Sequence, residues 1–156
     1  MAIGMLMRMN GFVSSGLGRA HVFMAQKHYQ EQFLSLMKKS VWPGTLNLKV
    51  SGTNLTNYIA LRIKSGIDTL DANDIQITKA KDIQLDNISS FRIRGFLRDG
   101  ISFGGATAYK ANFKSNGKVV NCAVLIPDLT RHFDVVEVIS PTFLREYLDL
   151  KDGDEV

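Results

Sequence analysis

Gly104-Gly105-Ala106-Thr107-Ala108-Tyr109-Lys110-Ala111-Asn112-Phe113-Lys114-Ser115-Asn116-Gly117-Lys118-Val119-Val120-Asn121-Cys122-Ala123-Val124-Leu125-Ile126 is the stretch that decides the fold class. Asn116-Gly117 is a strong hairpin signal, because both residues tolerate the positive φ that a two-residue turn needs. Strand patterns flank it at Gly104–Phe113 and Val119–Ile126. Outward from this hairpin, Phe91–Leu97 and Val135–Ser140 read as strands, with Asp99-Gly100 marking a further turn. Met5–Val13 and Thr45–Val50 read as strands in the N-terminal half. Lys27–Lys38 reads as a helix, with Tyr29, Phe33, Leu36 and Met37 making one apolar stripe. A last helix is expected from Pro141 to about Leu148, capped by Ser140, with Phe143, Leu144, Tyr147 and Leu148 as its buried face. Ser51–Asn87 reads as irregular with short strands, among them Ile75-Gln76-Ile77 and Lys79–Leu85. Many short strands with two clear helices favour a β-barrel over a sandwich or a βαβ sheet.

Composition narrows the class. The 156 residues suit one domain, and 45% hydrophobic with 22% charged is an ordinary globular balance. A net charge of +4 suits a phosphate-bearing ligand or a nucleic acid without requiring either. The single cysteine, Cys122, lies in an apolar run and reads as a buried, inert thiol; it excludes an internal disulfide and fits a reducing cytoplasm. No apolar run approaches transmembrane length, and the N-terminal run is too short for a signal sequence.

Several chemistries are absent. There is no Walker A sequence, no HExxH, no paired CxxC and no GxSxG elbow. Gly16-Leu17-Gly18-Arg19-Ala20-His21 lacks the third glycine of a dinucleotide fingerprint. His21, His28 and His132 are scattered. What remains is a set of loops. Ser15-Gly16-Leu17-Gly18 can bring backbone N–H groups close to an anion, with Arg19 adding charge, or it is a plain connection. Arg145 near a helix start points to a negative partner or to a surface ion pair with Asp149 or Glu146. In Trp42-Pro43-Gly44-Thr45-Leu46-Asn47-Leu48, a Pro-Gly turn opens into a strand. Thr45 and Asn47 then share a face, either as the polar side of a half-buried strand or as two hard oxygens for a partly hydrated Mg²⁺ held with phosphates.

Four motifs together resemble the CTP-dependent riboflavin kinases of archaea: Ser15-Gly16-Leu17-Gly18, Pro43-Gly44-Thr45-Leu46-Asn47-Leu48, Val136 to Pro141 with Leu144-Arg145-Glu146, and Leu148 to Asp154. The resemblance implies a mainly β fold, a compact six-stranded cradle-loop-type barrel with two or more short helices, forming one domain over residues 1–156. It implies transfer of the γ-phosphoryl group of CTP to the ribityl 5′-hydroxyl of riboflavin, giving FMN and CDP. Gly16, Leu17, Gly18, Arg19, Ala20 and His21 would wrap the nucleotide phosphates, and Thr142, Phe143, Leu144 and Arg145 would complete that site. Thr45 and Asn47 would bind Mg²⁺; Thr130 and Glu137 would contact the flavin, Glu137 as a base or a binding group near the ribityl chain. The implied protein is a cytoplasmic monomer with riboflavin and CTP as partners and neither nucleic acid nor membrane. A non-enzymatic nucleic-acid-binding barrel and a flavin or nucleotide sensor without turnover are the alternatives. Ala20 stands where the family usually has glycine, Arg19 where an acidic residue is expected, and the Thr130–Glu137 spacing is about one residue short. The chain stops at Asp154-Glu155-Val156, where the family normally continues into a closing strand, so closure is expected to differ or the terminus to be shortened.

Overall fold

The hairpin forms around Asn116 and Gly117, both at positive φ (51° and 74°). The structure is a computed structural model and describes residues 1–4, 7–16, 18–67, 72–130 and 132–156. In chain order the elements are β1 (Ala2–Ile3), β2 (Met7–Arg8), β3 (Phe12–Ser14), α1 (Ala20–Met24), α2 (Lys27–Met37), β4 (Leu46–Lys49), α3 (Gly52–Lys64), α4 (Asp74–Lys81), β5 (Phe91–Ile93), β6 (Phe96–Arg98), β7 (Ile101–Phe103), β8 (Ala106–Ser115), β9 (Lys118–Pro127), β10 (Val135–Ile139) and α5 (Leu144–Tyr147).

The fold is mainly β, as expected: an antiparallel sheet curled into a half-barrel, in the order β2-β1-β8-β9-β10-β4-β3, with β5 also paired to β8. β8 and β9 register from Ala106↔Pro127 to Ser115↔Lys118. β6 and β7 form a small separate hairpin.

The sheet buries both faces, and strand alternation assigns each residue to one of two cores. Tyr109, Ala111 and Phe113 of β8, with Val120, Cys122, Val124 and Ile126 of β9, join a core shared with α3. Ala106 and Ala108, with Ala123 and Leu125, face the other way, into a core with Met24 of α1 and Tyr29, Phe33 and Leu36 of α2. This double burial explains the near-continuous apolar run around Cys122. That thiol is fully buried, and burial pushes its pKa up to about 12, so it is an inert packing residue.

Several sequence-based expectations need correction. Residues 51–87 are not irregular with short strands: they hold α3 and α4. α3 is rich in Thr and Asn, weak helix formers, yet Leu55, Tyr58, Ile59 and Arg62 recur at helical spacing on its buried side. Burial overrides propensity there, and Arg62 Nη1 also donates to the His132 carbonyl at 2.6 Å. α4 starts at Asn73, whose side chain accepts from Gln76 N–H at 2.8 Å, so Ile75-Gln76-Ile77 lies in a capped helix rather than a strand. Met5–Val13 is not one strand: β2 and the start of β3 are separated at Met9–Gly11, and Met5 lies outside the described residues. Phe91–Leu97 breaks at Arg94-Gly95, where a Cβ on Gly95 would lie 2.4 Å from the Phe103 carbonyl. The C-terminal segment does extend the sheet. Phe12 bridges Glu155, Gly11 and Val156 exchange two 2.9 Å backbone hydrogen bonds, and Val13 N–H bonds the Asp154 carbonyl.

Candidate functional site

One register row crosses six strands: Ser14↔Asn47↔Glu137↔Leu125↔Ala108↔Phe91. Directly opposed residues hold their Cβ atoms about 4.5–5.5 Å apart, so the row is a continuous strip. Leu46, Leu48, Val136 and Val138 point into the α3-side core. Thr45, Asn47 and Glu137 therefore emerge on the opposite face, the one that α1 and α2 cover farther along. The strip changes character along its length. Its β3-β4-β10 end carries a hydroxyl, an amide and a carboxyl; its β9-β8-β5 end is apolar.

Thr45 and Asn47 meet: the Thr45 hydroxyl donates to Asn47 Oδ1 at 2.8 Å. Both are half-buried. Gly16 lies on the other side of the amide, where an added Cβ would come within 2.5 Å of Asn47 Nδ2. A side chain at Gly16 would therefore displace the Asn47 amide, and this close approach, not φ, sets the glycine apart. Glu137, opposite Asn47, is half-buried, and desolvation raises its carboxyl pKa from 4.5 to about 7.

The glycine loop leads into α1. Gly18 has φ 71°, which favours glycine, and its carbonyl lies 2.9 Å from His21 Nδ1. Leu17 lies outside the described residues. Arg19 is exposed at the N-cap of α1. Ala20 is the first helical residue and packs on the α1/α2-side core, a position that alanine suits better than glycine. Gln30 ties the helix pair to the segment leading into β4, bonding the carbonyls of Met24 and Val41 and receiving Val41 N–H.

The last helix is shorter than expected: α5 covers Leu144–Tyr147, with Phe143 at its N-cap and no side-chain cap. Ser140 does not cap it. Its hydroxyl donates to the Asn121 carbonyl at 2.8 Å and accepts Thr142 N–H at 3.1 Å, a local turn that stops the helix starting at Pro141. A single turn carries little macrodipole, so Arg145 faces no strong helix-end conflict. Its partner is neither Asp149 nor Glu146. Arg145 pairs with Asp152 at 2.6 Å and donates to the Ser14 carbonyl at 3.2 Å. The Ser15 hydroxyl also donates to Asp152, and these two bonds hold that carboxyl below its usual range. Ser15 and Asp152 belong to two of the motifs read from sequence, but their contact, and that of Asp152 with Arg145, was not foreseen, because Ser15 and Asp152 lie more than a hundred residues apart.

Trp42, Gly44, Thr45, Thr142, Phe143 and Arg145 line a small pocket, about 100 Å³, beside this network. Thr142 and Leu144 line the same pocket as Thr45. Thr130 is half-buried in the turn between β9 and β10, its N–H bonded to the Pro127 carbonyl at 3.1 Å.

A family model described as CTP-dep_RFKase (Domain of unknown function DUF120) matches residues 13–80 and 68–156. The chain is 35% identical over 150 residues to a riboflavin kinase of Thermofilum pendens, covering 95% of this chain and 56% of that protein. It is 33% identical over 150 residues to a riboflavin kinase of Pyrobaculum aerophilum, covering 96% and 58%. With a riboflavin kinase of Thermoplasma acidophilum it shares 30% identity over 146 residues, covering 94% and 54%. The chain spans about half the length of the curated relatives it matches.

Proposed function

The chain belongs to the CTP-dependent riboflavin kinase family, and we propose that it transfers the γ-phosphoryl group of CTP to the ribityl 5′-hydroxyl of riboflavin, releasing CDP and FMN. The observation that carries this reading is the strip from Ser14 to Phe91. Hydrophilic oxygens sit at one end, a carboxyl in the middle and buried apolar side chains at the other. A charged donor and a flat, apolar acceptor would meet over Glu137.

Thr45 and Asn47 suit a hard cation. Their oxygens stand 2.8 Å apart, near the separation of about 3.0 Å between neighbouring ligands of an octahedral Mg²⁺ with bonds near 2.1 Å. When bound with the nucleotide, Mg²⁺ would supply charge neutralisation on the phosphates. The glycine loop at Gly16 to His21 would contribute backbone N–H groups to those phosphates, and Arg145 a fixed positive charge beside them. Leu125 and Ala108, buried under α1 and α2, back the strip from within the core, and Thr130 would contact the flavin. Glu137, with its carboxyl near neutrality, would hold the ribityl chain and accept the 5′-hydroxyl proton as that oxygen attacks phosphorus.

The test is incubation with riboflavin, Mg²⁺ and each of the four nucleoside triphosphates. CTP-selective FMN is expected. Flavin or nucleotide binding without product would make the protein a sensor, and salt-sensitive DNA binding without a flavin effect would make it a nucleic-acid binder.

Two neutral ligands bind Mg²⁺ poorly alone, because the ion dehydrates reluctantly. Calorimetry is expected to register Mg²⁺ only when CTP or CDP is present; tight binding to the free protein would contradict the shared site. Gly16→Ala drives a methyl into the Asn47 amide. FMN formation should fall roughly 10- to 100-fold through misplacement of that side chain, with a melting temperature near wild type. Full activity in this variant would show that the Gly16–Asn47 contact does not matter.

A further inference from the structure

Asp152 closes a clasp between two segments that lie far apart in the chain. One carboxylate oxygen pairs with Arg145 Nη2 at 2.6 Å, and the other accepts the Ser15 hydroxyl. Ser15 directly precedes Gly16, the residue that packs on the Asn47 amide. The carboxylate therefore touches both the glycine loop and the arginine of α5. Its own support is rigid. Gly153 N–H bonds the Val13 carbonyl and Val13 N–H bonds the Asp154 carbonyl, both at 2.8 Å, which pins the C-terminal turn to β3. Leu150 N–H bonds the Arg145 carbonyl at 2.9 Å, and the Leu150 side chain is buried in the α3-side core. The Asp154 carboxylate closes the turn on itself by accepting Lys151 N–H at 2.8 Å. Ser15, by contrast, is exposed and lies outside any helix or strand.

The arginine is held by one nitrogen. Nη2 makes both the Asp152 contact and the 3.2 Å bond to the Ser14 carbonyl. Among the described residues, Nη1 and Nε have no hydrogen-bond partner, and Arg145 lines the pocket beside Thr45. A guanidinium anchored at one corner of its planar fork presents its remaining N–H groups in a fixed direction. We propose that Asp152 is a positioning residue for phosphoryl transfer, locking the glycine loop and the Arg145 guanidinium into one frame before the nucleotide arrives. This rests on the kinase reading above, which assigns both groups to the phosphates. Groups ordered in advance need not be ordered on binding, so the clasp strengthens nucleotide binding without touching the ligand. Because Nη1 and Nε stay open, a phosphate can join Arg145 without displacing Asp152. A carboxylate that merely occupied Arg145 would compete with phosphate, so the sign of the effect separates the two roles.

Calorimetry with CDP and Mg²⁺, and separately with riboflavin, tests the clasp. Asp152→Ala should weaken CDP roughly 10-fold, the ordering cost of one or two side chains, and raise the KM for CTP by a similar factor. Riboflavin affinity should stay within about twofold. In Asp152→Asn the amide oxygen can accept from Arg145 and the amide nitrogen can donate to Ser15 Oγ, so CDP affinity should return to within about threefold of wild type. Asp154→Ala loosens the same turn and leaves the clasp in place, so it should bind CDP like wild type. Tighter or unchanged CDP binding in Asp152→Ala would overturn the proposal. So would equal losses for CDP and riboflavin, or a loss in Asp154→Ala as large as in Asp152→Ala, because either marks a purely structural turn. Failure of the wild type to bind CDP, with no FMN formed from any triphosphate, would instead overturn the kinase reading.

Discussion

Asn47→Ala is expected to lower CTP-dependent FMN formation by roughly 100-fold or more, the usual cost of removing one preorganised polar group from a charge-stabilising site. The substitution removes the acceptor of the Thr45 hydroxyl and the side chain against which Gly16 closes. It leaves Leu46 and Leu48 in the core. The fold should therefore lose no more than about 1 kcal/mol, the net worth of one hydrogen bond. The measurement is kcat/KM for CTP and riboflavin beside a thermal melt. A folded variant within threefold of wild type would remove Asn47 from the metal site.

Glu137→Gln should act on both rate and stability, with distinguishable pH signatures. Loss of a positioned base typically costs 10²- to 10⁴-fold, and the wild-type kcat/KM should rise with pH through about 7 as the carboxyl ionises. For stability, the folded pKa of about 7 lies above the ordinary 4.5. Between these values the folded protein keeps a proton that the unfolded chain has released. Folding is thus favoured by protonation, and this contribution fades as pH rises through about 7. At 1.36 kcal/mol per unit, it reaches about 3 kcal/mol. Glutamine does not titrate, so Glu137→Gln should gain on wild type in urea unfolding between pH 5 and pH 8. Parallel pH dependences of the two proteins would mean that Glu137 is solvated in the folded state.

Much of this was legible in the chain, and the misses have physical causes. Asn116-Gly117 marks the central hairpin because the turn chemistry is local. The Tyr29–Phe33–Leu36 stripe marks α2 because periodicity is local too. α3 carried the same kind of signal in Leu55, Tyr58, Ile59 and Arg62, but Thr and Asn between them hid it. The Asn73–Gln76 cap was also readable, and the alternating Ile75 and Ile77 masked it. The Arg145–Asp152 pair was not readable: nearer acids at Glu146 and Asp149 competed on paper, and only the path of the C-terminal turn chose among them.

By itself, the sequence determined the hairpin, the main helix, the mainly β class, the family and the facing of Thr45 and Asn47, all properties of residue type and short-range spacing. The tertiary structure alone decided what stands beside them. Asn47 lies between Ser14 and Glu137 because β4 pairs with β3 on one side and β10 on the other. The Glu137 pKa is raised to about 7 because burial on the curled sheet removes its carboxyl from water. Strand register across ninety residues is a long-range property, and the strip that joins an oxygen-rich end to an apolar one exists only once that register is made.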